Sequence, residues 1–490
     1  MNRTDNDAPL QGRWIAMTAL LMAGFMNLID VSIVNVAIPS LQDAFNANDS
    51  QIEWVVAIYI LTFALFLLPA GRLGDVVGRR RMFILGVCVF TTASALCGMA
   101  GSIHALIGAR ALQGIGGAMM TPQTLAIVPA LFAPKERGTA FSLFGLSAGL
   151  ATVTGPVLGG LLVGADVYGL GWRPIFLVNL PIGLIAIVAA LRFVPKLPGQ
   201  KGLEIDGVGI VLGVLTVLLV LFPLIEGRQL DWPMWIFGML LSSLPTLGLF
   251  IWWQRRRAAQ SKAQLLPVTL FKNRNYMVGT VLVMLLFAGI PGFFLVLAIF
   301  LQVGNGLTPL QSGLTTMPFS IGVLIASVAA GRLGNRWTRL RISVGGGLLT
   351  TAMLIIPFLL PQVSDDISSV SLIFPMLIAG LGLSTSVSPM FNTVLSQVNE
   401  TDTGSASGAL QSFQQLGGAL GLAVMGQLFF AHIAAMEPTA TDLVPVYSDA
   451  LSMALWFSTA SFACMTILVW RLKEPFQPKV LNQSDSATAV

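Results

Sequence analysis

Charge is sparse in this chain. Only 10% of its 490 residues are Asp, Glu, Lys or Arg, against roughly 25% in soluble globular domains. One charge in ten cannot cover a water-soluble surface of this size, so that class is excluded. Cysteine is scarcer still: Cys88, Cys97 and Cys464 form an odd set with no CxxC spacing, which rules out a disulfide framework and a zinc knuckle. His104 and His432 are the only histidines, too few for most metal sites, and no metal or other cofactor is expected. There is no GxxxxGK[ST] phosphate loop, so the chain has no such motif for using ATP. The first apolar run, from Trp14, lasts about 24 residues, too long for a signal-peptide core of roughly 7–15.

What the chain has in abundance is apolar sequence: 55% hydrophobic residues, with 50 Gly and 20 Met. Glycine is commoner in membrane helices than in soluble ones. Runs of roughly 20 apolar residues, each long enough to span a bilayer, occur at 14–37, 51–73, 82–101, 105–126, 138–163, 172–194, 205–226, 232–253, 276–300, 310–330, 343–360, 368–391, 404–434 and 447–470. The expected fold is therefore an all-α integral membrane protein of 14 transmembrane helices. Charge placement orients it. All but Arg110, Arg173 and Arg228 of the 27 Lys and Arg fall in alternate loops or in the two tails. By the positive-inside rule those loops and both termini face the cytoplasm, which suits a multi-pass protein of the bacterial inner membrane.

The chain repeats itself. Ala70 to Asp75 (AGRLGD) returns as Ala330 to Asn335 (AGRLGN), and a weaker echo pairs Glu136 to Ala140 with Asp402 to Ala406. The offsets are nearly equal and skip eight spans. Two related six-helix bundles with two extra helices between them account for this, giving domains 1–200, 201–275 and 276–490. Duplicated bundles around a midplane site are typical of secondary transporters.

Several motifs then carry a family resemblance. Gly71 to Arg81 (GRLGDVVGRRR) matches the loop 2–3 signature of the major facilitator superfamily. Asp30 to Pro39 (DVSIVNVAIP), Arg110 to Ala118 (RALQGIGGA), Gly155 to Gly160 (GPVLGG) and Trp172 to Pro181 (WRPIFLVNLP) resemble the first-, fourth-, fifth- and sixth-helix motifs of its 14-helix drug:proton antiporters, the QacA/EmrB type. Ala151 stands where that pattern usually has Gly, and Pro174 where it usually has an aromatic. The resemblance implies two pseudo-symmetric bundles, alternating access and proton-coupled export, with helices 1 and 4 lining a central cavity.

Asp30 is the sharpest candidate. A carboxylate near the middle of a membrane helix costs ~2.5–3.5 kcal/mol on insertion scales, so it must be paired, hydrated or protonated. Counted from the predicted span ends, Asp30 lies roughly 10 Å and Arg110 roughly 8 Å from the outer face. They share a level, and are expected as a proton carrier and the cation that tunes it; a permanent ion pair joining two helices is the structural alternative. Asn27, Asn35, Gln113 and Gln302 are candidate cavity amides, although helix–helix hydrogen bonding is the favoured account of Asn35 and of Asn179. Gly71, Asp75, Arg79 and Arg80 are the candidate gate: Asp75 can accept from a helix N-terminus or an arginine and latch the bundles. Gly155, Pro156, Gly159 and Gly160 are the candidate antiporter hinge, where small residues permit close helix approach and proline bends the helix. Asp206 and Glu226 sit at predicted span ends, where charge is tolerated. Trp232, Trp235, Trp252 and Trp253 suit interfacial belts, and the two extra helices suit peripheral packing against lipid.

The reading is a proton-coupled exporter of amphipathic or cationic drugs and other toxic organic compounds. The alternative is an exporter dedicated to one metabolite: an antibiotic, siderophore or lipid. A membrane-embedded enzyme would need nucleophile or metal-ligand clusters at one depth, and a receptor on a transporter fold would carry no flux. The expected partners are a small-molecule substrate, protons and the bilayer, not nucleic acid. The chain is expected to work as a monomer, and nothing in it indicates a periplasmic adaptor.

Overall fold

A computed structural model of the 490-residue chain describes residues 12–133, 136–166, 169–199, 204–333, 337–360, 370–396, 398–399, 402–436 and 443–472. Among them every long element is a helix and there is no strand. That follows from the solvent: in hydrocarbon each backbone N–H and C=O must be satisfied within its own segment.

The first half runs α1 (Arg13–Phe45), α2 (Asp49–Val77), α3 (Arg79–Gly98), α4 (Ile103–Leu131), α5 (Arg137–Gly164), the one-turn α6 (Pro174–Leu177) and α7 (Asn179–Phe193). An extra pair follows, α8 (Gly207–Glu226) and α9 (Met234–Ala259). The second half runs α10 (Val268–Lys272), α11 (Arg274–Gly289), α12 (Pro291–Ile299), α13 (Pro309–Leu333), α14 (Thr338–Leu359), α15 (Val370–Ser396), α16 (Thr403–Met436) and α17 (Leu443–Leu468). Local sequence sets several starts. Asn48 and Gln51 form a capping box on α2, Ser102 caps α4 and Asn273 caps α11; each accepts from N–H groups that the helix itself leaves unpaired. Pro291, which has no N–H to donate, divides the run at 276–300 into α11 and α12, and a π-helical turn (Phe300–Gly304) closes it. The run at 172–194 is likewise two pieces, α6 and α7.

By length and hydropathy, twelve helices among the described residues can cross a membrane, not fourteen. The two outside that count are α4 and α5. The apolar run of α4 is diluted by Arg110, Gln113, Gln123 and several glycines. In α5 the side chains at 148, 149, 152, 153 and 156 lie outside the described residues. Helix α1 is also longer than the predicted 14–37, reaching Phe45.

Helices α1–α7 pack mainly on one another, as do α11–α17, and the halves meet where α16 lies on α2 and α4, and where α13 and α15 lie on α5. The extra pair does not simply face lipid. Helix α8 touches both α2 and α16, burying Leu221 among Leu61, Ala64 and Ala419. Its start is held to α9 by Asp206, which is buried rather than solvated. That carboxylate caps α8 through Gly209 N at 2.9 Å and accepts from Trp253 Nε1 at 2.9 Å and Gln254 Nε2 at 2.8 Å. Trp253 is thus anchored, while Trp235 and Trp252 stay half exposed.

Candidate functional site

Asp30 sits in the middle of α1 with no exposed surface. Four other helices supply its surroundings. From α4, Arg110 Nη1 donates to Oδ2, and Gln113 Nε2 donates to Oδ1 at 2.7 Å. From α7, Asn179 Nδ2 donates to Oδ1 at 3.3 Å. Ser94 of α3 accepts from Gln113 at 2.8 Å and from Asn179 at 3.3 Å. From α2, the Val55 carbonyl accepts from Arg110 Nε at 3.0 Å, and the Tyr59 ring lies 4.2 Å beneath the guanidinium. Gln113 Oε1 accepts a further Arg110 N–H at 2.8 Å.

This arrangement has two chemical consequences. A buried carboxylate and a buried guanidinium cancel in charge, and both are hydrogen-bonded, which is what makes burial tolerable. The guanidinium also has partners that do not depend on Asp30: a carbonyl, an amide oxygen and an aromatic face, the last a cation–π contact. Arg110 is thus held by contacts other than the carboxylate.

Two sequence candidates lie outside the cluster. Asn27, one turn before Asp30 on α1, is buried with its Nδ2 unpartnered, 2.5 Å from where a Cβ on Gly117 of α4 would lie. Gln302, in the π-helical turn of the second half, donates to Ser312 Oγ at 3.4 Å and is not part of the Asp30 cluster. Asn35 and Pro156 lie on helical backbone, but their side chains fall outside the described residues. Asn179, read from sequence as a helix–helix contact, is a ligand of Asp30; Ser94 and Tyr59 carried no sequence signal at all.

A second cluster joins the halves at the end that carries the basic loops. Asp75, buried at the last turn of α2, accepts from Gly404 N at 3.1 Å, Ser405 N at 3.0 Å and Ser405 Oγ at 3.1 Å. These are the orphan donors of the α16 N-terminus, where the helix dipole also favours an anion. Arg79 lies 3.4 Å from the same carboxylate and donates to the Ala126 carbonyl at 3.3 Å. Arg72 stands 3.9 Å from Asp75 and 3.8 Å from Asp402. Burial raises the carboxyl of Asp402 above its ordinary value, against the pull of Arg72 and Arg79. Gly71 lets the backbones meet: a Cβ there would lie 2.4 Å from the Gly404 carbonyl oxygen. Ser407 Oγ donates to the Pro122 carbonyl at 3.0 Å, and Ser388 Oγ to the Gly138 carbonyl at 3.2 Å. The structure is closed between the halves on this side. Arg80 is not part of the closure; its guanidinium donates to the Leu191 carbonyl at the end of α7.

The glycines of α5 divide. A Cβ on Gly155 would sit 1.9 Å from Ser32 Oγ of α1, whereas one on Gly160 would meet nothing within 4 Å. Gly159 is buried and Gly160 exposed. The tight α1–α5 seam therefore runs through Gly155, against Ser32 of α1.

The family model described as Major Facilitator Superfamily matches residues 20–422. The chain belongs to the Major Facilitator Superfamily. Its relatives within this superfamily include the "Probable actinorhodin transporter" of Streptomyces coelicolor, 36% identical over 89% of this chain and 75% of that one. The "Multidrug resistance protein Stp" of Mycobacterium tuberculosis is 33% identical over 91% of this chain and 80% of that protein. Among solved structures, the human organic anion transporter MFSD10 (TETRAN) superposes with a TM-score of 0.65 at 16% identity, covering 93% of this chain and 99% of that one. That identity speaks for the fold alone. The superfamily is one of multi-pass membrane transporters, and small molecules are what its members move.

Proposed function

We propose that this superfamily member exports amphipathic or cationic drugs and related toxic compounds in exchange for protons, with Asp30 as the proton carrier and Arg110 as the cation that sets when it titrates. The observation that carries this reading is the Asp30 cluster: a fully buried carboxylate paired with Arg110, which is also held by a carbonyl, an amide oxygen and an aromatic ring. The names of the relatives, multidrug and antibiotic transporters, support the substrate class. In this reading α4 and α5 also cross the bilayer, giving the 14-helix drug:proton antiporter arrangement, with bundles at 1–200 and 276–490 and the α8–α9 pair at 201–275. The basic loops and both termini face the cytoplasm of a bacterial cell membrane, so the closure at Asp75 shuts the cytoplasmic entrance. The Gly155 seam is where α5 rocks against α1.

Respiring everted vesicles test this. With the lumen acidified and reported by a quenched pH dye, ethidium should dequench the dye with the wild-type chain and not with Asp30→Asn, provided the variant is folded and inserted. Full dequenching by Asp30→Asn removes Asp30 from the coupling. Silence of the wild type across a panel of lipophilic cations turns the reading toward an exporter of a single metabolite.

A further inference from the structure

We propose that the cavity between the α2–α3 turn and the segment after α7 binds the phosphodiester headgroup of an anionic phospholipid. The cavity has a volume of about 610 Å³ and its walls include Val77, Arg80, Arg81, Ile84, Leu191 and Lys196. Three cations line it and no carboxylate does. Arg80 is spent on the Leu191 carbonyl, which fixes that wall. Arg81 and Lys196 are exposed and take part in none of the ion pairs among the described residues. A pair of unneutralised cations beside apolar walls is the chemistry of a phosphate attached to hydrocarbon, since basic pockets at a membrane interface recruit acidic headgroups.

The surface leading to the cavity selects a lipid over a free anion. Leu184, Val188 and Leu191 are each more than half exposed and recur at i, i+4 and i+7, so they form one stripe along α7. Leu85 of α3 is exposed beside the same turn as Ile84. The stripe ends at Leu191, which is itself a wall of the cavity. An acyl chain lying on that stripe delivers its glycerophosphate to Arg81 and Lys196.

The pocket is preformed. Gly78 holds φ at +105°, a conformation that side chains other than hydrogen rarely adopt. A Cβ on Gly199 would lie 1.9 Å from the Val76 carbonyl oxygen, so the strap 195–199 rests directly on the end of α2. All walls belong to the first half of the chain and its following strap, and none to α11–α17. Opening or closing at Asp75 therefore leaves the site intact. It faces the cytoplasmic leaflet if the basic loops do, as proposed above; binding itself does not depend on that orientation.

The test is native mass spectrometry of the full chain released from micelles containing equal amounts of dioleoylphosphatidylglycerol and dioleoylphosphatidylcholine. The wild type should retain phosphatidylglycerol preferentially. Arg81→Gln with Lys196→Gln should weaken that retention by roughly 30-fold, about fivefold per cation, while the exchange Arg81→Lys with Lys196→Arg, which keeps both charges, should preserve it. Thermal unfolding checks that each variant is folded, and the single change Arg81→Gln serves if the double neutralisation is not. Equal retention of the two lipids, or undiminished retention by the neutralised chain, overturns the proposal. Displacement of bound lipid by glycerol 3-phosphate would assign the cavity to a soluble anion and also overturn it. The readout is mass and requires no transport, so its failure is separate from any failure of the Asp30 mechanism.

Discussion

Gly71→Ala is the sharpest perturbation of the closed side. The added Cβ would meet the Gly404 carbonyl oxygen at 2.4 Å and Gly408 Cα at 3.1 Å. Real Cβ contacts under 3.0 Å essentially never occur, and both obstacles are backbone, which cannot rotate away. Helices α2 and α16 must therefore part by at least about 0.6 Å at this point, and overpacking of this kind typically costs ~1–3 kcal/mol. The same displacement stretches the three hydrogen bonds into Asp75. Because the cost falls on the closed state alone, the closed-to-open ratio should drop roughly 5- to 150-fold. Spin labels at Val77→Cys and Asn399→Cys, in a chain whose Cys88, Cys97 and Cys464 are replaced by Ala, report the separation by electron double resonance. Gly71→Ala should shift the distribution to longer distances. Gly160→Ala, whose Cβ meets nothing within 4 Å, should not. An unchanged distribution in Gly71→Ala would refute the argument that this backbone contact closes the basic side.

Three further outcomes follow from the same contacts. Gly155→Ala should impair transport because its Cβ collides with Ser32 Oγ at 1.9 Å; the obstacle is a side chain, so adding Ser32→Ala should restore flux, and a double-mutant cycle in vesicles measures the coupling. Asp206→Ala leaves Trp253 Nε1 and Gln254 Nε2 without their acceptor, at ~1–3 kcal/mol for each buried donor; thermal unfolding in detergent should show a lower Tm with drug binding retained. Asp402 gives a pH dependence. Its carboxyl is raised in the closed state by burial, so closure binds a proton there. The contribution to closure is fully present below the ordinary carboxylate value of 3.8 and is lost as pH rises through the raised value. The label distances should lengthen over that window in the parent chain, and Asp402→Asn should remove that part of the pH dependence.

The helical architecture was legible because hydrocarbon leaves so few options: long apolar runs must be helices. The number of crossings was less so. Helix α4 carries Arg110, Gln113 and Gln123, all buried, so hydropathy understates it. Depth counting put Asp30 and Arg110 on one level, and they touch. Nothing in the sequence shows which faces of α2, α3 and α7 turn toward α1, so Tyr59, Ser94 and Asn179 could not be assigned to that cluster. Asp206 misled for the opposite reason. A charge at a span end reads as merely tolerated, yet a cap, an indole and an amide hold and bury it. Arg80 and Arg79 are neighbours in one basic run, but one faces α7 and the other Asp75. Rotation about a helix axis separates them, and a motif does not record it.

The central claim is that drug and proton exchange at Asp30. Binding of tetraphenylphosphonium to purified protein in weakly buffered detergent, followed with a pH indicator, tests it without any transport step. By the reciprocity of coupled equilibria the wild type should release about one proton per bound cation over part of the titratable range, and Asp30→Asn should bind the cation while releasing none. Equal proton release by Asp30→Asn would contradict the account.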